Sequence, residues 1–154
     1  MRKDDEPVTN CHRLEGENME DRYLFKAKEF STEEWVQGYY AVIKGKPVII
    51  SKEPEKFFYP ATMEKRKGHV VTEVRPDTIC QCTGLQDENG TLIWENDIVS
   101  YRDCTKEEYV IVWEQDKACF EYQQCSCSMM NFDELSGCEV EVIGNIIDNP
   151  ELLE

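Results

Sequence analysis

The residues with the widest chemical reach are the cysteines. Cys80-Gln81-Cys82 and Cys125-Ser126-Cys127 together would offer four thiolates to a zinc ion, which favours tetrahedral sulfur and nitrogen donors. The spacing argues against that use. Zinc knuckles place two residues between paired cysteines, whereas residues i and i+2 of a strand share a face, so Cys80 and Cys82 can fill one core without a metal. Eight cysteines in 154 residues also raise a disulfide framework. No apolar secretory segment opens the chain, so reduced thiols acting as small apolar side chains are the expectation.

A cysteine nucleophile needs a neighbour that stabilises its thiolate. Only His12 and His69 are available. His12 stands in a polar tail and His69 follows the basic run Lys65-Arg66-Lys67, so neither has a reason to be fixed beside a particular sulfur. The 32 carboxylates must mostly be solvated surface, and spacing alone selects no acid–base pair. The sequence holds no glycine-rich phosphate loop, HExxH or GxSxG. The expectation is therefore no enzyme, no catalytic residue, no cofactor and no metal ligand.

One more set has a chemistry of its own. Tyr39, Tyr40, Phe57, Phe58 and Tyr59 flank Lys52, Lys56, Lys65, Arg66 and Lys67, a mixture with which small β-barrels bind single-stranded nucleic acid. Net charge opposes this. Of the total of −15, residues 1–18 contribute −2, residues 19–76 contribute +2 and residues 77–154, with 3 basic and 18 acidic groups, contribute −15. So acidic a half repels phosphate backbones, and its partner should be basic or apolar.

The elements that position these residues read as strands. Residues 1–18 show no hydrophobic period and form a loose tail, with Met19 a second candidate start. Residues 23–28, 35–43 and 47–50 make an N-terminal antiparallel meander. Residues 52–69 break every period at Pro54, Pro60 and the basic run, so a loop anchored by Phe57-Phe58-Tyr59 is expected. Short strands at 70–74 and 78–82 follow. Asn89-Gly90 then sits between apolar runs, and both residues tolerate the positive φ of a two-residue hairpin turn. Asn96-Asp97 makes the next bend before Ile98, Val99 and Tyr101. Residues 109–113, 118–122 and 139–147 complete the strands, with a helical turn at 132–135 ending at Gly137 and another at Asn149-Pro150-Glu151.

These residues carry a resemblance. The Thr83-Gly84-Leu85 opening, the Asp87-Glu88-Asn89-Gly90 turn, the Trp94-Glu95-Asn96-Asp97-Ile98-Val99 step and the ending Glu141-Val142-Ile143-Gly144-Asn145-Ile146 with Asp148-Asn149-Pro150-Glu151 are similar to the YopX family of prophage and mobile-element proteins. Phe25-Lys26-Ala27-Lys28 and Glu34-Trp35-Val36-Gln37-Gly38 fit too. The family pattern has Gly where this chain has Asn96, the next most tolerant residue for a left-handed backbone. The resemblance implies an all-β fold, with an SH3-like small barrel in the C-terminal half, and carries no transferable activity.

The sequence thus predicts an all-β chain: tail 1–18, N-terminal β region 19–77 and C-terminal barrel 78–154, packed as one unit. Its expected role is a non-enzymatic, cytoplasmic interaction module of mobile-element origin that contacts an unknown protein partner or itself. A single-stranded nucleic-acid-binding barrel and a zinc-stabilised domain are the alternatives. No segment has the length and apolarity of a membrane span.

Overall fold

The computed structural model describes residues 21–59, 64–101, 108–124, 129–131 and 140–153. His12, Met19, the tail, Cys125-Ser126-Cys127 and the expected helical turn at 132–135 lie outside the described residues. The described chain is all-β. Its strands are antiparallel and fall into open sheets of six, five and two strands.

The six-stranded sheet takes β1 (Phe25–Lys28), β2 (Trp35–Ile43), β3 (Lys46–Ser51), β6 (Val71–Glu73), β7 (Cys80–Gln86) and β8 (Leu92–Trp94) in the order β6-β3-β2-β1-β7-β8. It therefore draws strands from both sides of residue 77. The five-stranded sheet orders β12 (Met129–Asn131), β11 (Cys119–Gln124), β10 (Glu108–Glu114), β9 (Asp97–Tyr101) and β13 (Val140–Asn145). The β7–β8 hairpin covers this second sheet. Ile93 joins Val99, Tyr109, Ile111, Tyr122 and Val140 in one buried cluster, with Leu85 packed against it. Removing such apolar surface from water is the main force holding the layers together.

The first sheet curls tightly. Glu29 bridges to Val74, and Phe30 N–H donates to the Glu73 carbonyl, so the end of β1 comes round to β6. Ala27, Ile49 and Val74 are enclosed by this curl. Gly38 makes the curl possible. A Cβ there would meet the Ile50 carbonyl oxygen at 2.0 Å, and only a residue without one fits.

Residues 52–69 depart from the loop reading. β4 (Glu55–Tyr59) and β5 (Glu64–Gly68) pair as a ribbon of two strands, with Lys56 opposite Lys67 and Phe57 opposite Arg66. Pro54 precedes the first strand and so sits where no ladder donor is needed, while Pro60 lies outside the described residues. Ser51 ties the root together. Its N–H donates to the Val70 carbonyl at 2.9 Å, its hydroxyl accepts from Val70 N–H at 2.9 Å, and its carbonyl accepts from His69 Nδ1 at 2.7 Å.

Candidate functional site

The signature residues, scattered through the sequence, converge where the two large sheets meet. β1 alternates, so Phe25 and Ala27 enter the curl while Lys26 and Lys28 face the other way. Lys26 Nζ reaches Asp97 Oδ1 at 2.6 Å, across 71 residues of sequence. Its ammonium also lies 5.2 Å from the Trp35 ring centre and 5.5 Å from that of Trp94, within cation–π range. Asp97 is 2% exposed. Its second oxygen accepts from Trp94 N–H at 2.9 Å, closing the bend in which Asn96 adopts φ +67°. The left-handed backbone expected at Asn96 is present. Burial pushes the Asp97 carboxyl above its ordinary value, against the pull of Lys26 and the Trp94 N–H.

Asp148 makes the second joint. It pairs with Lys28, accepts from Trp35 Nε1 at 2.6 Å and is held below the usual carboxylate range by Lys28 first. Asn145 presents it, its side-chain oxygen accepting from Ile147 N–H at 3.0 Å and Asp148 N–H at 2.9 Å. The Ile146 N–H donates to the Asn96 carbonyl at 3.0 Å, so both bends share one contact. Lys26, Trp35, Trp94, Asp97, Asn145 and Asp148 line a cleft of about 380 Å³.

Asp87 makes the third. The turn lies where Asn89-Gly90 was expected, but its geometry differs. Gly90 alone has positive φ, +80°, and its N–H donates to the Asp87 carbonyl at 3.0 Å. The reason is the Asp87 side chain, whose Oδ1 accepts from Asn89 N–H and Thr91 N–H, both at 2.8 Å. That preference replaces the two-residue turn with a three-residue loop ending in a left-handed glycine. Oδ2 accepts from Val142 N–H at 3.1 Å, and Glu88 N–H donates to the Val140 carbonyl at 3.1 Å. The loop thereby covers the open edge of β13. Burial would raise the Asp87 pKa, but the N–H groups of Val142, Thr91 and Asn89 outweigh it and hold the carboxyl below its ordinary value.

The thiols sit in this framework as core. Cys80 and Cys82 pack in one buried cluster with Leu24 and Trp94, as expected for i and i+2 of a strand. Burial pushes the Cys80 thiol up to about 11 and raises Cys82 as well. Both stay protonated at neutral pH, the opposite of an activated nucleophile. Among the described residues, no group of three or more His, Cys, Asp or Glu side chains is placed to hold a metal ion. His69 Nδ1 faces the Ser51 carbonyl at 2.7 Å. Of the aromatic and basic set, Tyr39 and Tyr40 lie on β2, while Phe57, Lys56, Lys65, Arg66 and Lys67 lie on the ribbon.

Sequence reasoning quoted Lys26, Trp35, Trp94, Asp97 and Asp148 as motif residues without seeing that they meet. Their signal was the motif itself, in which charged and indole side chains stand within strands or just beyond their ends. A chain of this kind is an all-β protein whose sheets are pinned by buried polar joints. Residues 24–154 match the family model described as YopX protein, and the chain belongs to that family. A similar solved structure is the crystal structure of protein EF1440 from Enterococcus faecalis, 25% identical, with a TM-score of 0.53 over 84% of this chain and 96% of that one. No curated protein matches the sequence. Among the described residues, no helix is long and apolar enough to cross a membrane.

Proposed function

We propose that this chain is a non-enzymatic interaction module of phage or mobile-element origin, working in the cytoplasm and contacting a protein partner or another copy of itself. The observation that carries the reading is where the family's signature residues go. Lys26, Lys28, Trp35, Asp87, Asp97 and Asp148 are engaged with one another and with backbone N–H groups, so they brace the fold rather than await a substrate. Chemistry is left to the surface. Family membership supports the mobile-element origin. The finer architecture belongs to the same reading: β7 to β13 form an SH3-like barrel, supported by the core that Leu85 and Ile93 share with the five-stranded sheet.

The surface available for contact lies on the first sheet. Tyr39 stands opposite Ile50, and Ile50 opposite Val71, forming an apolar row across β2, β3 and β6. Tyr39 is 37% exposed and Val71 52%. Such a row next to polar surroundings is typical of a docking patch. Affinity isolation from host lysate, run with the wild type and with Val71→Glu, tests the reading. A protein held by the wild type and lost by the variant is expected. A wild type that retains nothing and is monomeric by light scattering overturns it.

A further inference from the structure

Pairing sorts the charges of the β4–β5 ribbon between its two faces. Lys56 lies directly opposite Lys67, and Lys65 is two positions before Lys67 on the same strand. Residues opposite one another and residues two apart share a face, so Lys56, Lys65 and Lys67 stand together. The two acids of the ribbon strands, Glu55 and Glu64, fall at positions of the opposite parity. All three lysines are exposed, and among the described residues none of them is in an ion pair. The contrast with the rest of the chain is sharp. Lys26, Lys28, Lys46, Lys52 and Lys117 each pair with a carboxylate, in a protein where 32 acidic residues outnumber 17 basic ones.

Such a face weakens the element that carries it. Like charges directly opposite repel, and a ribbon of two strands is marginal alone in water. An anion laid over the face offsets that repulsion. Lys65 and Lys67 are about 7 Å apart along their strand, and Lys56 stands on a strand about 5 Å away. Three ammonium groups in so small an area suit a ligand with closely repeated negative charges, and duplex DNA carries one for about every 1.7 Å of its axis. Its major groove, about 12 Å wide, admits a two-stranded β-ribbon. We propose that this face binds double-stranded DNA, the ribbon entering the major groove and Lys56, Lys65 and Lys67 contacting phosphates.

This goes beyond the interaction-module reading and is independent of it, since none of these lysines belongs to the Tyr39–Ile50–Val71 row. The net charge of −15 opposes any polyanion, but its reach is short. At about 0.15 M salt, charges are screened beyond about 8 Å, roughly half of the 17 Å or so that a strand of five residues spans. Binding through three phosphate contacts is weak and tolerant of sequence, because phosphates carry no sequence information. Duplex RNA fits less well, its major groove being deep and narrow.

The test is fluorescence anisotropy of a labelled DNA duplex of about 20 base pairs, titrated with the full chain to about 200 μM, from about 50 to about 200 mM salt. Saturable binding with a micromolar dissociation constant is expected at the lower salt. It weakens roughly fortyfold across the range, because three phosphate contacts give log K a slope of about −2.7 against log salt. Lys67→Gln reduces that slope by about 0.9, and Lys56→Gln/Lys65→Gln/Lys67→Gln weakens binding roughly tenfold or more. Removing the like-charge pair favours strand pairing, so the loss is not one of folding, and circular dichroism checks this. Lys44→Gln, which changes an exposed lysine at the β2–β3 turn, leaves binding unaltered. A duplex left unbound at the lower salt overturns the proposal. So does a triple variant that binds like the wild type, or a Lys44→Gln that weakens binding as much as Lys67→Gln. A single strand or an RNA duplex bound more tightly than the DNA duplex overturns the major-groove assignment.

Discussion

Two hairpins of this molecule pair differently and have opposite fates: β4–β5 keeps an unbroken register over five residues, whereas β7–β8 shifts register between Cys82 and Gln86. The β7–β8 hairpin ends in a loop whose Asp87 carboxylate accepts three backbone N–H groups, one of them from β13, and its strands bury Cys80, Cys82, Ile93 and Trp94. The β4–β5 ribbon is a sheet of its own, rooted through Ser51 and opposing lysine to lysine. The difference teaches that hairpin pairing contributes little by itself here. What fixes a hairpin is the side chain at its tip or base that reaches another sheet.

That contrast is broken most severely at Asp97. Replacing it by alanine leaves the Lys26 ammonium, packed between Trp35 and Trp94, without its carboxylate, and removing one partner of a buried pair typically costs about 3–5 kcal/mol. Urea unfolding is expected to show a loss of that size. A loss under about 1 kcal/mol would mean that solvent reaches Lys26 and the joint is not a joint.

Asp87→Ala should rank second. It strands Asn89, Thr91 and Val142 N–H groups, the first two near enough to the surface to find water, so a loss of about 2–3 kcal/mol is expected by the same measurement. Acid supplies an independent check. The Asp87 carboxyl is held below its ordinary value of 3.8, so the stability it contributes is complete above that value and is lost as pH falls through the lower folded one. Asp148, lowered by Lys28, acts in the same direction. Asp97, raised by burial, acts in the opposite direction, so the comparison isolates Asp87: as pH drops below about 4, the thermal midpoint should fall less steeply for Asp87→Asn than for the wild type.

Asn96 gives a smaller effect. Its φ of +67° costs a residue with an ordinary Cβ about 1 kcal/mol more than it costs asparagine or glycine, and its amide also donates to Cys80 Sγ at 3.5 Å. Asn96→Ala should lose roughly 1–2 kcal/mol, while Asn96→Gly should stay within about 1 kcal/mol of the wild type. Equal losses for both would locate the cost in the amide contact and not in the backbone.

These positions also mark how far sequence reasoning reached. The bend at Asn96 was legible because a left-handed residue is a local property with a local signature. β2, β3 and the later strands were legible from β-branched and aromatic runs. The Asn89-Gly90 turn was placed correctly, yet its type was decided by Asp87, a side chain two residues away competing for the same N–H groups. The ribbon escaped because neither Glu55–Tyr59 nor Glu64–Gly68 alternates apolar with polar residues, and Pro54 and Pro60 flank the first of them, which mimics a loop. Least legible was the meeting of Lys26 with Asp97 and of Trp35 with Asp148, separated by 71 and 113 residues. Only the curl of the first sheet brings them together, and that curl depends on one glycine whose neighbour, the Ile50 carbonyl, is 12 positions away.

The ribbon itself supplies the finest test of the contrast. Lys67→Thr removes the like-charge pair with Lys56 and introduces a β-branched residue suited to a strand, so it should stabilise the ribbon by a few tenths of a kcal/mol. Global unfolding should hardly register this, because the ribbon opens on its own before the sheets do. Amide hydrogen exchange separates the two levels. Protection of Phe57 and Arg66 should rise in the variant while that of Ile93 and Val99 stays at the global value. If the ribbon amides already exchange with the same protection as Ile93 in the wild type, the ribbon is coupled to the sheets more tightly than its pairing allows, and the distinction between the two hairpins disappears.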